Sequence, residues 1–183
     1  MPIIACVRAL FTVGHGTASQ AEFASRLQDA GVASLVDVRI GPGSRNHPHF
    51  GKDRMESWLP EAGISYRWER RLGGFRKLPP DSPDAALRNE SFRAYAAYMR
   101  TADFAAAAAE LVAAAQLEHT AHTAIMCSET VWWRCHRRLI ADHCLLLAGL
   151  PVAHLMPPAK STPHVPTQGV RVLGNVLRYD VLD

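Results

Sequence analysis

Two hydrophobic periods alternate along this chain, and that alternation limits the folds open to it. Short apolar runs at Arg8–Val13, Ser34–Val38, Ile64–Trp68, Thr123–Met126 and Val152–Met156 are too brief for buried helices and predict strands. Between them lie segments with helical spacing. A helix capped by Ser19 or Thr17 runs to Ala30, with Phe23 and Leu27 on one face and Gly31 as its stop. Further helices are expected over Lys52–Ala62, Ser91–Arg100, Asp103–Gln116 and Trp133–Ala148. Pro60 should shorten or bend the second of these. Strands that take turns with helices predict an α/β fold, a three-layer domain with a mostly parallel sheet and helices on both faces. This domain is expected to span residues 1–156. Residues 157–183 read as a Pro-rich linker and C-terminal tail that adds at most one strand.

At 183 residues and 48% hydrophobic content the chain suits one domain with a real core. No apolar run is long enough for a membrane span, so no membrane partner is expected. The leading MPIIACVRALFTVG has no basic start and reads as a strand rather than an export signal. Its four cysteines, Cys6, Cys127, Cys135 and Cys144, are sparse, which suggests reduced thiols and a cytoplasmic location. Cys6 and Cys144 sit among apolar residues and read as core fillers. A net charge of +3 is too mild to imply nucleic-acid binding from bulk charge.

Polar segments follow three of the expected strands: Gly14-His15-Gly16, Asp37-Val38-Arg39 with its loop, and Cys127-Ser128-Glu129. In open α/β sheets ligands bind outside the carboxyl ends of strands, so these segments should converge on one rim. Asp37 and Arg39 point the same way on a strand, and either pair with each other or hold a ligand. The loop from Gly41 to Phe50 carries Ser44, Arg45 and two histidines. It fits an anion, although it is no Walker loop, and an ordinary polar loop would look the same.

The segment Cys127–Arg137 is the least ordinary. Cys127 is a candidate thiolate nucleophile, activated by a helix N-terminus and by His136 or Arg137. Six residues separate it from Arg134, one more than phosphatase-type anion loops use. Glu129 is a candidate general acid or base. A metal site on Cys127, Cys135 and His136 matches no common zinc spacing, and on the expected helix Cys135 and His136 would face different ways, so no metal is assigned. A buried Arg137 and His136 need partners, for which Glu129 and Asp37 are the obvious choices. A purely structural polar cluster competes with all of these readings. Arg138 and Asp142, four apart, read as an outward-facing pair. His119, His122, His143 and His164 carry no assigned role, and Tyr66 and Tyr95 read as packing residues.

Together these residues resemble the bacterial and archaeal family named domain of unknown function 488. Thr12-Val13-Gly14-His15-Gly16, Asp37-Val38-Arg39, Ser44-Arg45 with Pro48 and Phe50, Leu72-Gly73-Gly74, Phe92-Arg93 with Tyr95, Cys127 with Glu129, Cys135-His136-Arg137 and Val152-Ala153-His154 match its pattern in order. The likeness spans residues 12–156. Gly16 stands where the family usually has Ser, so no hydroxyl is available there. The resemblance implies the fold and the membership of the site, and no reaction.

The expectation is therefore an enzyme acting on a small anionic, phosphate- or nucleotide-like ligand. Cys127, Glu129, His136 and Asp37 would supply chemistry, and His15, Arg39, Ser44, Arg45 and Arg137 would bind the ligand. The alternatives are a Cys/His metal protein or a nucleic-acid module built on Arg67, Arg70, Arg71, Arg76 and Lys77 with Trp132 and Trp133. Neither the cofactor nor the oligomeric state is legible.

Overall fold

The computed structural model describes residues 9–43, 45–117, 121–158 and 160–181. Cys6, Arg8, Ser44 and His119 lie outside them. Among the described residues, eight strands and five α-helices follow in the order β1 (Leu10–Gly14), α1 (Gln20–Asp29), β2 (Val32–Asp37), α2 (Lys52–Glu61), β3 (Ser65–Trp68), α3 (Glu90–Tyr98), α4 (Ala102–Leu117), β4 (His122–Cys127), α5 (Arg137–Leu146), β5 (Val152–Met156), β6 (Lys160–Pro163), β7 (Val170–Leu173) and β8 (Val176–Tyr179). Six strands form one sheet in the order β3-β2-β4-β1-β5-β6. All its pairings are parallel except that of β5 with β6.

Alternation along the strands sorts the two faces. On β4, Ile125 and Cys127 join the core under α3, α4 and α5, while Ala124 and Met126 join the core under α1 and α2. Phe23, Leu27, Met55 and Leu59 are fully buried on the second face, each worth about 1.5–3 kcal/mol of transfer free energy. This is the three-layer α/β arrangement the periodicity predicts.

Local chemistry sets the helix ends. Ser19 caps α1 in a reciprocal capping box with Glu22. Asn89 caps α3 by accepting from Ser91 and Phe92. The start of α5 differs from expectation. A single turn at Trp132–Arg134 comes first, Cys135 is extended, and the helix begins only at Arg137.

The segment read as a linker and tail is built into the body. After β6 joins the sheet, His164 donates its backbone N–H to the Val152 carbonyl at 2.8 Å. The hairpin β7-β8 brings Leu177 and Tyr179 into the core beneath α3–α5.

Candidate active site

β1, β2 and β4 end side by side, which gathers the three polar segments. Beyond the sheet, His15 N–H donates to the Cys127 carbonyl at 3.1 Å and Gly16 N–H to the Ser128 carbonyl at 2.9 Å. This contact needs Gly14, because a Cβ there would lie 1.9 Å from the Glu129 carbonyl oxygen. Val38 N–H donates to the Met126 carbonyl at 2.9 Å. His136 Nε2 meets the Val38 carbonyl at 3.1 Å, closing the site across 98 positions of sequence.

A cavity of about 480 Å³ opens at this rim. Its buried side includes Cys127, Cys135, His15 and Tyr95, and its exposed side Arg134, Glu129 and Phe75. Phe75 holds a positive φ of 57° and is 92% exposed, a strained and costly placement for an aromatic residue.

One Sγ from each of Cys127 and Cys135 and one ring nitrogen of His136 all lie within 4.8 Å of one another. Because the Val38 carbonyl can only accept, Nε2 of His136 carries a proton, and in the neutral ring Nδ1 is the nitrogen with the lone pair. That nitrogen lies 3.7 Å from Cys135 Sγ. Arg137 Nε donates to the same sulfur at 3.3 Å, and its Nη2 donates to the Glu129 carbonyl. Arg137 is 1% exposed, and among the described residues no carboxylate stands within ion-pair distance of it. The nearby sulfur is its available counter-charge. Burial opposes ionisation of Cys135, but the Cys127 thiol and the Arg137 guanidinium outweigh it and bring the thiol down to about 6. Cys127, beside that sulfur and buried, is pushed up to about 12.

These contacts revise the expected roles. Cys127 lines the cavity, but the sulfur that Arg137 and His136 address belongs to Cys135. Cys135 and His136 converge because they precede α5 and so do not occupy different faces of it. Glu129 lines the cavity but supports Arg137 with its carbonyl, not its carboxylate. Asp37 does not line the cavity. Its buried carboxylate is taken up by the Arg39 guanidinium at 2.5–3.1 Å and the Tyr66 hydroxyl at 2.7 Å. Arg39 reaches the cavity wall with its charge already paired, and also donates to the Phe50 carbonyl at 2.8 Å. Arg45 is exposed and not part of the lining, and Arg137 lies behind Cys135 rather than in the opening.

His15 does line the cavity. It stacks on Phe50 at 4.2 Å, and burial holds its pKa down at about 4, so it is neutral at pH 7. Nδ1 donates to the Gly16 carbonyl at 2.9 Å, which leaves Nε2 as a buried acceptor with no partner. Sequence reasoning passed over Arg134 and Tyr95 as cavity residues. The Cys127–Arg134 spacing was the available signal for Arg134, although the loop it closes is not a phosphatase loop.

Arg67, Arg71, Arg76 and Trp132 are engaged internally, while Arg70, Lys77 and Trp133 are exposed. Arg67 pairs with Glu69 at 2.9 Å, and Arg71 bridges Glu69 and Glu110 at 2.7 Å each. Arg76 lies 3.6 Å over the Tyr98 ring. Trp132 stacks flat on His154 at 4.0 Å.

A family model described as Domain of unknown function DUF488 matches residues 19–144. The chain belongs to this family. The DUF488 match covers β2, β4 and the whole Cys127–Arg137 segment, and begins after β1 with its His15 loop. No curated protein and no solved structure matches the chain.

Proposed function

We propose that this DUF488 protein is an enzyme acting on a small anionic, phosphate- or nucleotide-like ligand held in the cavity between the β1, β2 and β4 loops. One observation carries the reading: two sulfurs and an imidazole meet within 4.8 Å on the wall of a concave site of about 480 Å³. That volume is within the usual range for small-molecule sites, roughly 300–1,000 Å³. Arg134, exposed on the lining with no ion pair among the described residues, meets the ligand's anionic group. His15 Nε2 accepts from a hydroxyl or amino group of the ligand. His136 Nδ1, with its lone pair toward the cluster, takes up a proton, and the Glu129 carboxylate serves as a second proton acceptor at the exposed side. The charged Cys135 sulfur, set against Arg137, sits at the centre of the reactive cluster.

A concave cluster favours a small ligand over a nucleic-acid strand, since the basic side chains Arg67, Arg71 and Arg76 already have partners. A thermal-shift screen of nucleotides, sugar phosphates and short organic acids tests the reading. A ligand at 100 times its Kd adds about 2.7 kcal/mol, a rise of roughly 5–10 °C for a chain of this size. The rise should vanish in Arg134→Gln. A screen in which no anion stabilises the wild type, or in which Arg134→Gln responds equally, contradicts it.

A further inference from the structure

We propose that Cys127, Cys135 and His136 form a three-ligand site for a soft divalent metal ion, zinc by preference, with its fourth position open to the cavity. The inference rests on reading this cavity as the active site. It assigns the cluster a metal that neither the spacing of the residues nor the family description suggests.

The geometry of the donors is the first argument. A tetrahedral zinc with a Zn–S bond of about 2.3 Å and a Zn–N bond of about 2.0–2.1 Å sets an S···N edge of about 3.6 Å. Cys135 Sγ and His136 Nδ1 stand 3.7 Å apart. The Cys127 sulfur completes a set in which every pair lies within 4.8 Å, so small rotations of side chains bring all three to one centre. Donor chemistry agrees, since two sulfurs and one imidazole suit zinc and exclude magnesium or calcium.

The surroundings are the second argument. Histidines that ligate a metal usually donate their other ring N–H to a carbonyl or carboxylate, which fixes the ring and the tautomer. His136 already does this, with Nε2 on the Val38 carbonyl at 3.1 Å and Nδ1 left free to coordinate. Arg137 brings one positive charge to a pair of sulfurs, which is enough for one thiolate; a dication would allow both to ionise and leave a net positive charge facing an anionic ligand. A structural zinc site would be closed by a fourth protein ligand. Here the three donors line a cavity, and among the described residues no fourth Cys, His, Asp or Glu joins the group. Three protein ligands with an accessible fourth position is the pattern of a metal that acts on a bound water or substrate oxygen. In that state Cys135 and His136 Nδ1 both act as ligands, the proton-acceptor role passes to Glu129, and the reactive oxygen sits at the open position in the cavity that Arg134 and Glu129 line.

The test uses the full-length chain purified without chelator, then stripped and titrated with zinc or cobalt(II) alone. Expected are about one metal per chain, thiolate-to-cobalt charge-transfer absorption, and the intense visible bands of tetrahedral cobalt. Cys127→Ser, Cys135→Ser and His136→Gln should each weaken zinc binding at least about 100-fold, since even outer-shell changes cost 10–100-fold. Cys144→Ser, in the core away from the cavity, should bind as wild type does. Zinc should also protect Cys135 from iodoacetamide. Failure of the wild type to bind stoichiometric zinc or cobalt overturns the proposal, as does binding that survives the Cys127→Ser/Cys135→Ser double variant. Zinc binding without any ligand in the thermal-shift screen would overturn the enzyme reading alone, and a ligand without metal would overturn this one alone.

Discussion

Helix α5 serves two largely buried, histidine-containing clusters that differ in whether their hydrogen-bonding groups are all matched within the protein. At its entrance, Cys127, Cys135 and His136 border a cavity and His15 keeps a ring nitrogen without a partner. Farther along, Asp142 anchors a closed chain. The Thr12 hydroxyl donates to His154 at 2.7 Å, His154 meets His164 at 2.9 Å, and His164 meets the Asp142 carboxylate at 2.8 Å. The same carboxylate accepts from Thr167 N–H at 2.9 Å and the Tyr179 hydroxyl at 3.0 Å. A carboxylate accepts only, so the directions follow one another back to Thr12 and each donor is satisfied. The closed chain spends its hydrogen-bonding capacity on tying β1, β5, α5 and the C-terminal hairpin together. The open cluster leaves capacity for something that is not protein. Both contain largely buried histidines; lone pairs without a protein partner at a cavity set the open cluster apart from the closed chain.

That contrast breaks if the closed chain tolerates change or the open cluster does not. Asp142→Ala leaves three buried donors without an acceptor, and should cost about 3–5 kcal/mol in urea unfolding. Cys127→Ser in metal-free protein should cost less than about 1 kcal/mol by the same method. An equal loss in both variants would erase the distinction. Acid should also act through the closed chain. Burial, with His164 and Arg137 nearby, lowers the His154 pKa from 6.5 to about 3. The unfolded state therefore binds a proton that the folded state refuses. The stabilising effect of neutral His154 is complete above pH 6.5 and fades as pH falls toward 3, by up to about 1.4 kcal/mol per pH unit. His154→Gln should flatten that part of the pH–stability curve, leaving a smaller slope from His15, whose pKa is held at about 4. An unchanged curve would count against the neutral chain.

Smaller effects sharpen the comparison further. Tyr179→Phe removes one hydrogen bond to Asp142 and keeps the ring, so a loss of about 1 kcal/mol is expected in the same unfolding assay. Glu129→Gln, on the exposed side of the cavity, should change stability by less than about 0.5 kcal/mol while abolishing or slowing turnover once a substrate is found. Full turnover in that variant would remove Glu129 from the site's chemistry.

The sheet was legible in the sequence because each buried strand is a short apolar run and each helix has a cap or a breaker, as Ser19 and Gly31 illustrate. The convergence of the three polar segments on one cavity was legible for a topological reason, since the residues that follow Val13, Val36 and Met126 must fall at strand ends. Which sulfur Arg137 and His136 contact was not. Extending α5 back to Trp133 put Cys135 and His136 on a helix, whereas the turn at Trp132–Arg134 delays the helix and lets both face Cys127. The closed chain was equally hidden. Asp142 and Arg138 have the spacing of a surface pair, but Asp142 is fully buried and bonds to residues 22, 25 and 37 positions away. Helical spacing reports neighbours on one helix and says nothing of a tail that returns over it.

Site-resolved alkylation of metal-free native protein tests the open cluster most directly. With limiting iodoacetamide near neutral pH, mass spectrometry should find Cys135 modified at least about tenfold faster than Cys127 or the core residue Cys144, because the thiolate is the reacting form. Modification of Cys127 ahead of Cys135, or no modification of either until the protein unfolds, would contradict the account.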